Sequence, residues 1–214
     1  MNFLEKKRIL LIISGGIAAY KSLDLIRSLI KIQCEVKTIL TKGGAEFVTP
    51  LSIASLSKNK VYSDMYSVEN ESEMDHISLS RWADLILIAP ATSNIIAKMS
   101  QGISDDLATT VVQASNKSIF VCPAMNVRMW EHASNKQNLE KIKSYNYRII
   151  GPFNGEMACG EYGDGRMADI EYILKELDNF FKSKSSNKKY RAIVTAGPTP
   201  VSYTHLTLPT NGLG

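Results

Sequence analysis

Asn126 ends the run Pro123-Ala-Met-Asn126 and is followed by Val127-Arg-Met-Trp130. Two thioethers can wall a flat apolar ligand, and an amide offers both a donor and an acceptor. A hydrophobic loop with one turn-forming Asn has the same composition, so these residues alone leave both readings open. Cys159 lies between Ala158 and Gly160, in a stretch that also holds Gly151, Gly155, Gly163 and Gly165. So many glycines from 151 to 166 predict a mobile loop. A thiol carried there is either incidental or a reagent on a lid that completes a site by closing. His76, in Asp75-His-Ile77, is either a surface or capping histidine or a proton-transfer group. Gly15-Gly16 joins an apolar run to a helical one, which suits either a phosphate cradle or close packing.

These residues need elements to position them. Arg8–Ser14, Glu35–Leu40, Asp84–Ala89, Ile119–Cys122 and Arg148–Ile150 are short apolar runs that read as buried strands, with Lys60–Tyr62 a shorter one. Between them, helical spacing predicts Ile17–Ile30, a helix from about Ala45 interrupted near Thr49-Pro50, and helices over Ile95–Met99 and Asn135–Tyr145. Met167–Phe181 reads as an amphipathic closing helix. The alternation predicts a doubly wound, mostly parallel, Rossmann-like α/β sheet of about six strands in a three-layer sandwich. In such sheets ligands sit at the carboxyl ends of the strands. There the sequence places Gly15-Gly16, Thr41-Lys-Gly-Gly44, Pro90-Ala-Thr-Ser-Asn94 and Pro123–Asn126. Ser104-Asp-Asp106 reads adequately as a helix cap.

Composition narrows the function classes. A formal charge of +4 over 214 residues, without a basic stripe interleaved with aromatics, does not suggest nucleic-acid binding. The Gly-Gly spacing matches neither the dinucleotide fingerprint nor a Walker loop, and no metal cluster is suggested. The three cysteines, Cys34, Cys122 and Cys159, imply reduced thiols and a cytoplasmic protein. No run is long and apolar enough to span a membrane. Residues 1–181 read as one domain and 182–190 as a solvated linker. Residues 191–200 open a new strand and turn, and 201–214 continue no βα pattern.

Ser14-Gly-Gly-Ile-Ala-Ala-Tyr-Lys21, Asp75-His-Ile77, Ala89-Pro-Ala-Thr92, Pro123-Ala-Met-Asn126, Ala158-Cys-Gly160 and Gly165-Arg-Met167 occur in this order. As an ordered set they resemble the homo-oligomeric flavin-containing cysteine decarboxylases. The likeness runs over roughly residues 6 to 200 and is strongest to the decarboxylase half of bifunctional bacterial members acting on 4'-phosphopantothenoylcysteine. Residues 191–199 resemble the opening of the ligase half. The tail then departs from it and reads as foreign sequence, so ligase activity is not expected.

The resemblance implies decarboxylation of 4'-phosphopantothenoylcysteine to 4'-phosphopantetheine in coenzyme A biosynthesis. Losing CO2 from a cysteine carboxylate needs an electron sink, which oxidation of the thiol carbon to a thioaldehyde creates; FMN is the implied hydride acceptor. His76, Asn126 and Cys159 are the implied catalytic residues. His76 orients substrate or assists thiol deprotonation, Asn126 binds the carboxylate, and Cys159 protonates the ene-thiolate. An ordinary thiol, with pKa about 8.5, keeps its proton near neutral pH. FMN is expected around Gly15, Gly16, Ile17, Ala18, Thr41, Phe47, Ala91, Thr92, Asn94, Ser104, Asp105 and Asp106. Substrate is expected against Met125, Asn126, Ala158, Gly160, Arg166 and Met167. The family further implies a homotrimer, or a dodecamer of four trimers. Two alternatives keep the fold: a peptidyl-cysteine decarboxylase and a non-catalytic flavin-binding regulatory subunit. The ligase-like start argues against the first, and the joint presence of His76, Asn126 and Cys159 against the second.

Overall fold

The computed structural model describes residues 3–63, 75–158 and 160–186. β1 (Arg8–Ile13) leads through a 3₁₀ turn (Ile17–Tyr20) into α1 (Lys21–Lys31), and β2 (Glu35–Leu40) follows. Next come α2 (Lys42–Ala45), α3 (Pro50–Ser57), β3 (Val61–Tyr62), α4 (Asp75–Trp82) and β4 (Leu85–Ala91). α5 (Ser93–Gln101), α6 (Leu107–Gln113), β5 (Ser118–Pro123), α7 (Val127–Glu131), α8 (Ala133–Ser144) and β6 (Arg148–Ile149) complete the alternation. β7 (Phe153–Glu156), β8 (Tyr162–Arg166) and α9 (Ile170–Ser186) end the described chain.

Six parallel strands lie in the order β3-β2-β1-β4-β5-β6, the expected doubly wound arrangement. Period-two alternation sends the residues of β1 into two cores. Ile9, Leu11 and Ile13 pack with Leu25, Leu29, Ile53, Ile173 and Leu177 from α1, α3 and α9. Leu10 and Ile12 pack with Leu79, Ile96, Val111 and Ile142 from α4, α5, α6 and α8. Every one of these side chains is buried, each stabilising by about 1.5–3 kcal/mol before entropy is subtracted. A strand apolar at nearly every position is therefore required by the two helical layers.

The connection from β1 goes one way to β2, and the chain returns on the other side for β4, which makes their carboxyl ends the switch point of the sheet. Ser14 ties these ends together. Its hydroxyl donates to the Pro90 carbonyl at 2.7 Å and accepts from the Thr92 N–H at 3.1 Å.

Several boundaries differ from the sequence reading, each for a local reason. The predicted helix Ile17–Ile30 opens as a 3₁₀ turn before α1 begins at Lys21. Thr41 caps a helical turn over Lys42–Ala45, where a polar loop was expected, and Pro50 takes the first position of α3 behind the Thr49 cap. α9 runs to Ser186, so the linker expected from residue 182 is helical for its first residues; Lys and Ser, without Gly or Pro, can continue an exposed helix. The mobile loop expected over 151–166 is instead largely the antiparallel hairpin β7–β8, pairing Gly155 with Gly163 and Glu156 with Tyr162. The acidic stretch before α4 (64–74) and the segment 187–214, with the rest of the linker, the ligase-like opening and the tail, lie outside the described residues.

Candidate active site

The turns after β1 and β2 meet backbone to backbone. A β-carbon on Gly15 would stand 3.1 Å from the Gly43 carbonyl oxygen. On Gly44 it would stand 2.7 Å from that of Ile13. A β-carbon at residue 44 is excluded by this approach, and one at residue 15 would press on the Gly43 backbone. Beside this junction, Gly16 (φ 100°) turns the chain into the 3₁₀ segment, next to the Thr92 methyl.

Polar residues at the strand ends serve as helix caps. Thr41 accepts from the Gly44 N–H, Thr92 from Ile95, and Asn126 from Met129 at 2.8 Å. A threonine hydroxyl so engaged still has its proton to donate, and the amide still has its NH2. Asn126 therefore presents donors rather than acceptors to a ligand. That is the polarity a carboxylate requires. Asp106 is the cap of α6 in a reciprocal capping box with Thr109, and Lys98 holds both Asp105, at 2.7 Å, and Asp106, at 3.3 Å. Their structural duties agree with the cap reading.

A cavity of about 440 Å³ opens between the 3₁₀ turn, the loop after β5 and the hairpin. It brings together Gly16, Ile17, Ala18, Met125, Asn126, Ala158, Arg166 and Met167 from the expected set. Tyr20, Lys21, Ala124, Glu156, Met157 and Gly165 also line it and were not among the expected site residues. Lys21 follows Ile17 by four residues, the spacing that puts both on one helical face, and this signal was available. The hairpin residues were obscured by the glycine-rich composition. The hairpin docks through the Met125 N–H, which donates to the Gly165 carbonyl at 3.0 Å. A β-carbon on Gly165 would collide with the Met125 carbonyl oxygen. Glycine here secures a contact and does not confer mobility.

Gly15, Thr41, Phe47, Ala91, Thr92, Asn94, Ser104, Asp105, Asp106 and Gly160 do not line this cavity. Gly15, Thr41, Ala91 and Thr92 belong to the adjoining strand-end turns, Phe47 is exposed beyond α2, and Gly160 closes the turn between β7 and β8 through its N–H to the Met157 carbonyl. His76 lies elsewhere in the chain. It lines a separate depression with Ser80, Arg81 and Asn116, on α4, whose Leu79 packs on the sheet face opposite α1. Cys159 lies outside the described residues. Cys34 and Cys122 are core residues: burial pushes the Cys34 thiol up to about 12 and that of Cys122 higher still, so neither serves as a proton donor.

Electrostatically the cavity holds two cations, Lys21 from α1 and Arg166 from β8, and one carboxylate, that of Glu156 on β7. Burial and the neighbouring Arg166 guanidinium lower the Lys21 pKa, opposed by Asp169. Arg166 Nη2 donates to Asp169 at 3.2 Å, while its buried Nε has no partner. Among the described residues no cluster of His, Cys, Asp and Glu could hold a metal, and no helix is long and apolar enough to cross a membrane.

A family model described as Flavoprotein matches residues 2–182. The chain is 42% identical over 205 residues to the coenzyme A biosynthesis bifunctional protein CoaBC of Haemophilus influenzae, covering 94% of this chain and 51% of that protein. It is 39% identical over 198 residues to the CoaBC of Bacillus subtilis, covering 92% and 49%. The chain thus spans about half the length of the curated relatives it matches. A mutant PPC decarboxylase complexed with pantothenoylaminoethenethiol superposes with a TM-score of 0.74 at 30% identity, covering 83% of this chain and 100% of that one. The FMN-binding protein AtHal3 superposes with a TM-score of 0.71 at 32% identity, covering 84% and 98%. With its six-stranded switch-point sheet and a family match over residues 2–182, the chain belongs to the flavoprotein family.

Proposed function

We propose that this domain decarboxylates 4'-phosphopantothenoylcysteine to 4'-phosphopantetheine, an FMN-dependent step of coenzyme A biosynthesis carried out in the cytoplasm. The observation that carries this reading is the cavity itself. A donor amide, thioether walls and a glycine turn at the switch point meet under a docked hairpin. The strand-end turn at Gly15-Gly16, with the Thr41 and Thr92 hydroxyl protons at the neighbouring strand ends, would hold the cofactor phosphate. Bound FMN supplies a hydride acceptor and donor, which a free cysteine lacks.

The chain's own residues bind, orient and protonate. Asn126 Nδ2 donates to the substrate carboxylate, with Oδ1 fixed by the Met129 N–H so that the amide cannot rotate away. Met125 and Met167 exclude water from the departing carboxylate, which strengthens the amide contact and favours loss of charge as CO2. Cys159 gives its proton to the carbon that bore the carboxylate. His76 belongs to the same reaction but lines a depression separate from the cavity of Asn126. A homotrimer, alone or as part of a dodecamer, allows His76 of one subunit to serve the cavity of the next. Ligase activity is not proposed for these residues.

The test is direct. FMN-loaded protein is incubated with 4'-phosphopantothenoylcysteine, without NAD or ATP, and the product is identified by mass. Phosphopantetheine is expected; unchanged substrate would contradict the proposal.

A further inference from the structure

Lys21 and Arg166 reach the same cavity from different elements, the first turn of α1 and the end of β8. Like charges are not normally gathered in a half-buried cleft unless something offsets them. Asp169 engages one side of Arg166, yet the repulsion is still felt at Lys21, which forms no ion pair or hydrogen bond with another described residue. Arg166 Nε is buried without a partner. The guanidinium lies over Gly155, where a β-carbon would stand 3.1 Å from Nε and 3.3 Å from Cδ. A side chain at position 155 would press on it, so the space over Gly155 is taken by the Arg166 side chain.

We propose that Lys21 and Arg166 form a receptor for the phosphate monoester of the substrate, within the cavity that Asn126 also lines. This rests on the decarboxylase reading and adds a determinant of substrate choice to it. A phosphate dianion matches the charge of the pair, with the ammonium as a point charge and the guanidinium as a planar donor. Two phosphate monoesters meet this protein under that reading, FMN and the substrate. Under that reading the strand-end turn at Gly15-Gly16 with Thr41 is assigned to the first, whereas Lys21, beyond the 3₁₀ turn, lines the cavity together with hairpin residues. The receptor therefore belongs to the substrate.

The experiment measures binding of two ligands, 4'-phosphopantothenate and pantothenate, to the FMN-loaded full chain by calorimetry. Wild type, Lys21→Met, Arg166→Gln and Arg166→Lys are compared, and FMN affinity is measured for each. Wild type should prefer the phosphorylated compound by on the order of a hundredfold. Lys21→Met and Arg166→Gln should each weaken 4'-phosphopantothenate about tenfold or more, leaving pantothenate and FMN affinities within about twofold. Arg166→Lys should recover part of the loss, because it restores the charge without the planar fork. Equal weakening of both compounds, or loss of FMN instead, would overturn the proposal. So would a wild type that does not discriminate between them. CO2 release from 4'-phosphopantothenoylcysteine, followed separately, reports on the decarboxylase reading, so the two can fail independently.

Discussion

At the scale of single residues, Asn126 carries two duties that a substitution can separate. Its Oδ1 caps α7, and its NH2 is left for a ligand. Asp is as good an N-cap as Asn, so Asn126→Asp should fold with a melting temperature close to wild type. It places a negative charge where the substrate carboxylate must sit, and turnover should fall by at least a hundredfold. Flavin should stay oxidised on anaerobic mixing with substrate; a variant that reduces its flavin normally would show that Asn126 does not bind the carboxylate. Cys159→Ser separates a later event. Oxidation and decarboxylation should proceed, but an alcohol is far less acidic than a thiol and donates the proton poorly. Reduced flavin and an unsaturated ene-thiol should accumulate, visible by absorbance and product mass. Phosphopantetheine formed at the wild-type rate would leave Cys159 without a role in protonation.

At the scale of elements, glycine content was the least legible feature of the sequence. Five glycines between residues 151 and 166 suggest mobility, but the Met125 carbonyl occupies the side-chain space of Gly165, and the Arg166 side chain packs over Gly155. Which neighbour fills that space is a tertiary fact, and no local pattern records it. Gly165→Ala should undock the hairpin while leaving the six-stranded sheet intact. Limited proteolysis within residues 153–166 should become faster and decarboxylation should fall at least tenfold, with little change in far-ultraviolet circular dichroism. Unchanged protease resistance would contradict the close-packing role.

The strands, by contrast, were legible because two covering layers demand continuous apolar runs, and those runs are visible in any window of six residues. Arg8 and Asp84 fasten the amino ends of β1 and β4, with Nη2 to Oδ1 at 2.9 Å and the Arg8 N–H to Oδ2 at 3.0 Å. Burial pushes the Asp84 carboxyl up, but the hydrogen bonds and charge of Arg8 outweigh it and hold the pKa below the ordinary value. A depressed folded pKa gives stability that is present above the unfolded carboxylate pKa of about 3.9 and is lost as pH falls through the folded value. Asp84→Asn should therefore be less stable than wild type at neutral pH, with the difference shrinking below about pH 4. A stability gap that does not change between pH 7 and pH 3, measured by urea unfolding, would contradict this linkage.

At the scale of the whole molecule, the sequence reading gathers His76, Asn126 and Cys159 into one site, whereas within the chain His76, on α4, and Asn126, at the cavity, line separate depressions. A motif order along the chain does not say which copy completes a site. If neighbouring subunits share the site, His76→Asn and Asn126→Asp, each inactive alone, should complement one another when co-expressed. Random assembly leaves about a quarter of the sites with both residues intact, so about a quarter of wild-type activity should return. Hybrids that remain as inactive as the parents would place both residues within one subunit's reaction or remove His76 from it.

The central claim is that the switch-point cavity performs a redox-neutral decarboxylation, and anaerobic mixing of FMN-loaded protein with excess 4'-phosphopantothenoylcysteine tests it most directly. CO2 and flavin absorbance are followed together, wild type beside Asn126→Asp. Wild type should release one CO2 for each substrate consumed while its flavin returns to the oxidised state, and Asn126→Asp should release almost none. A folded, FMN-loaded wild type that releases no CO2, or that stops with its flavin reduced after one turnover, would contradict the account.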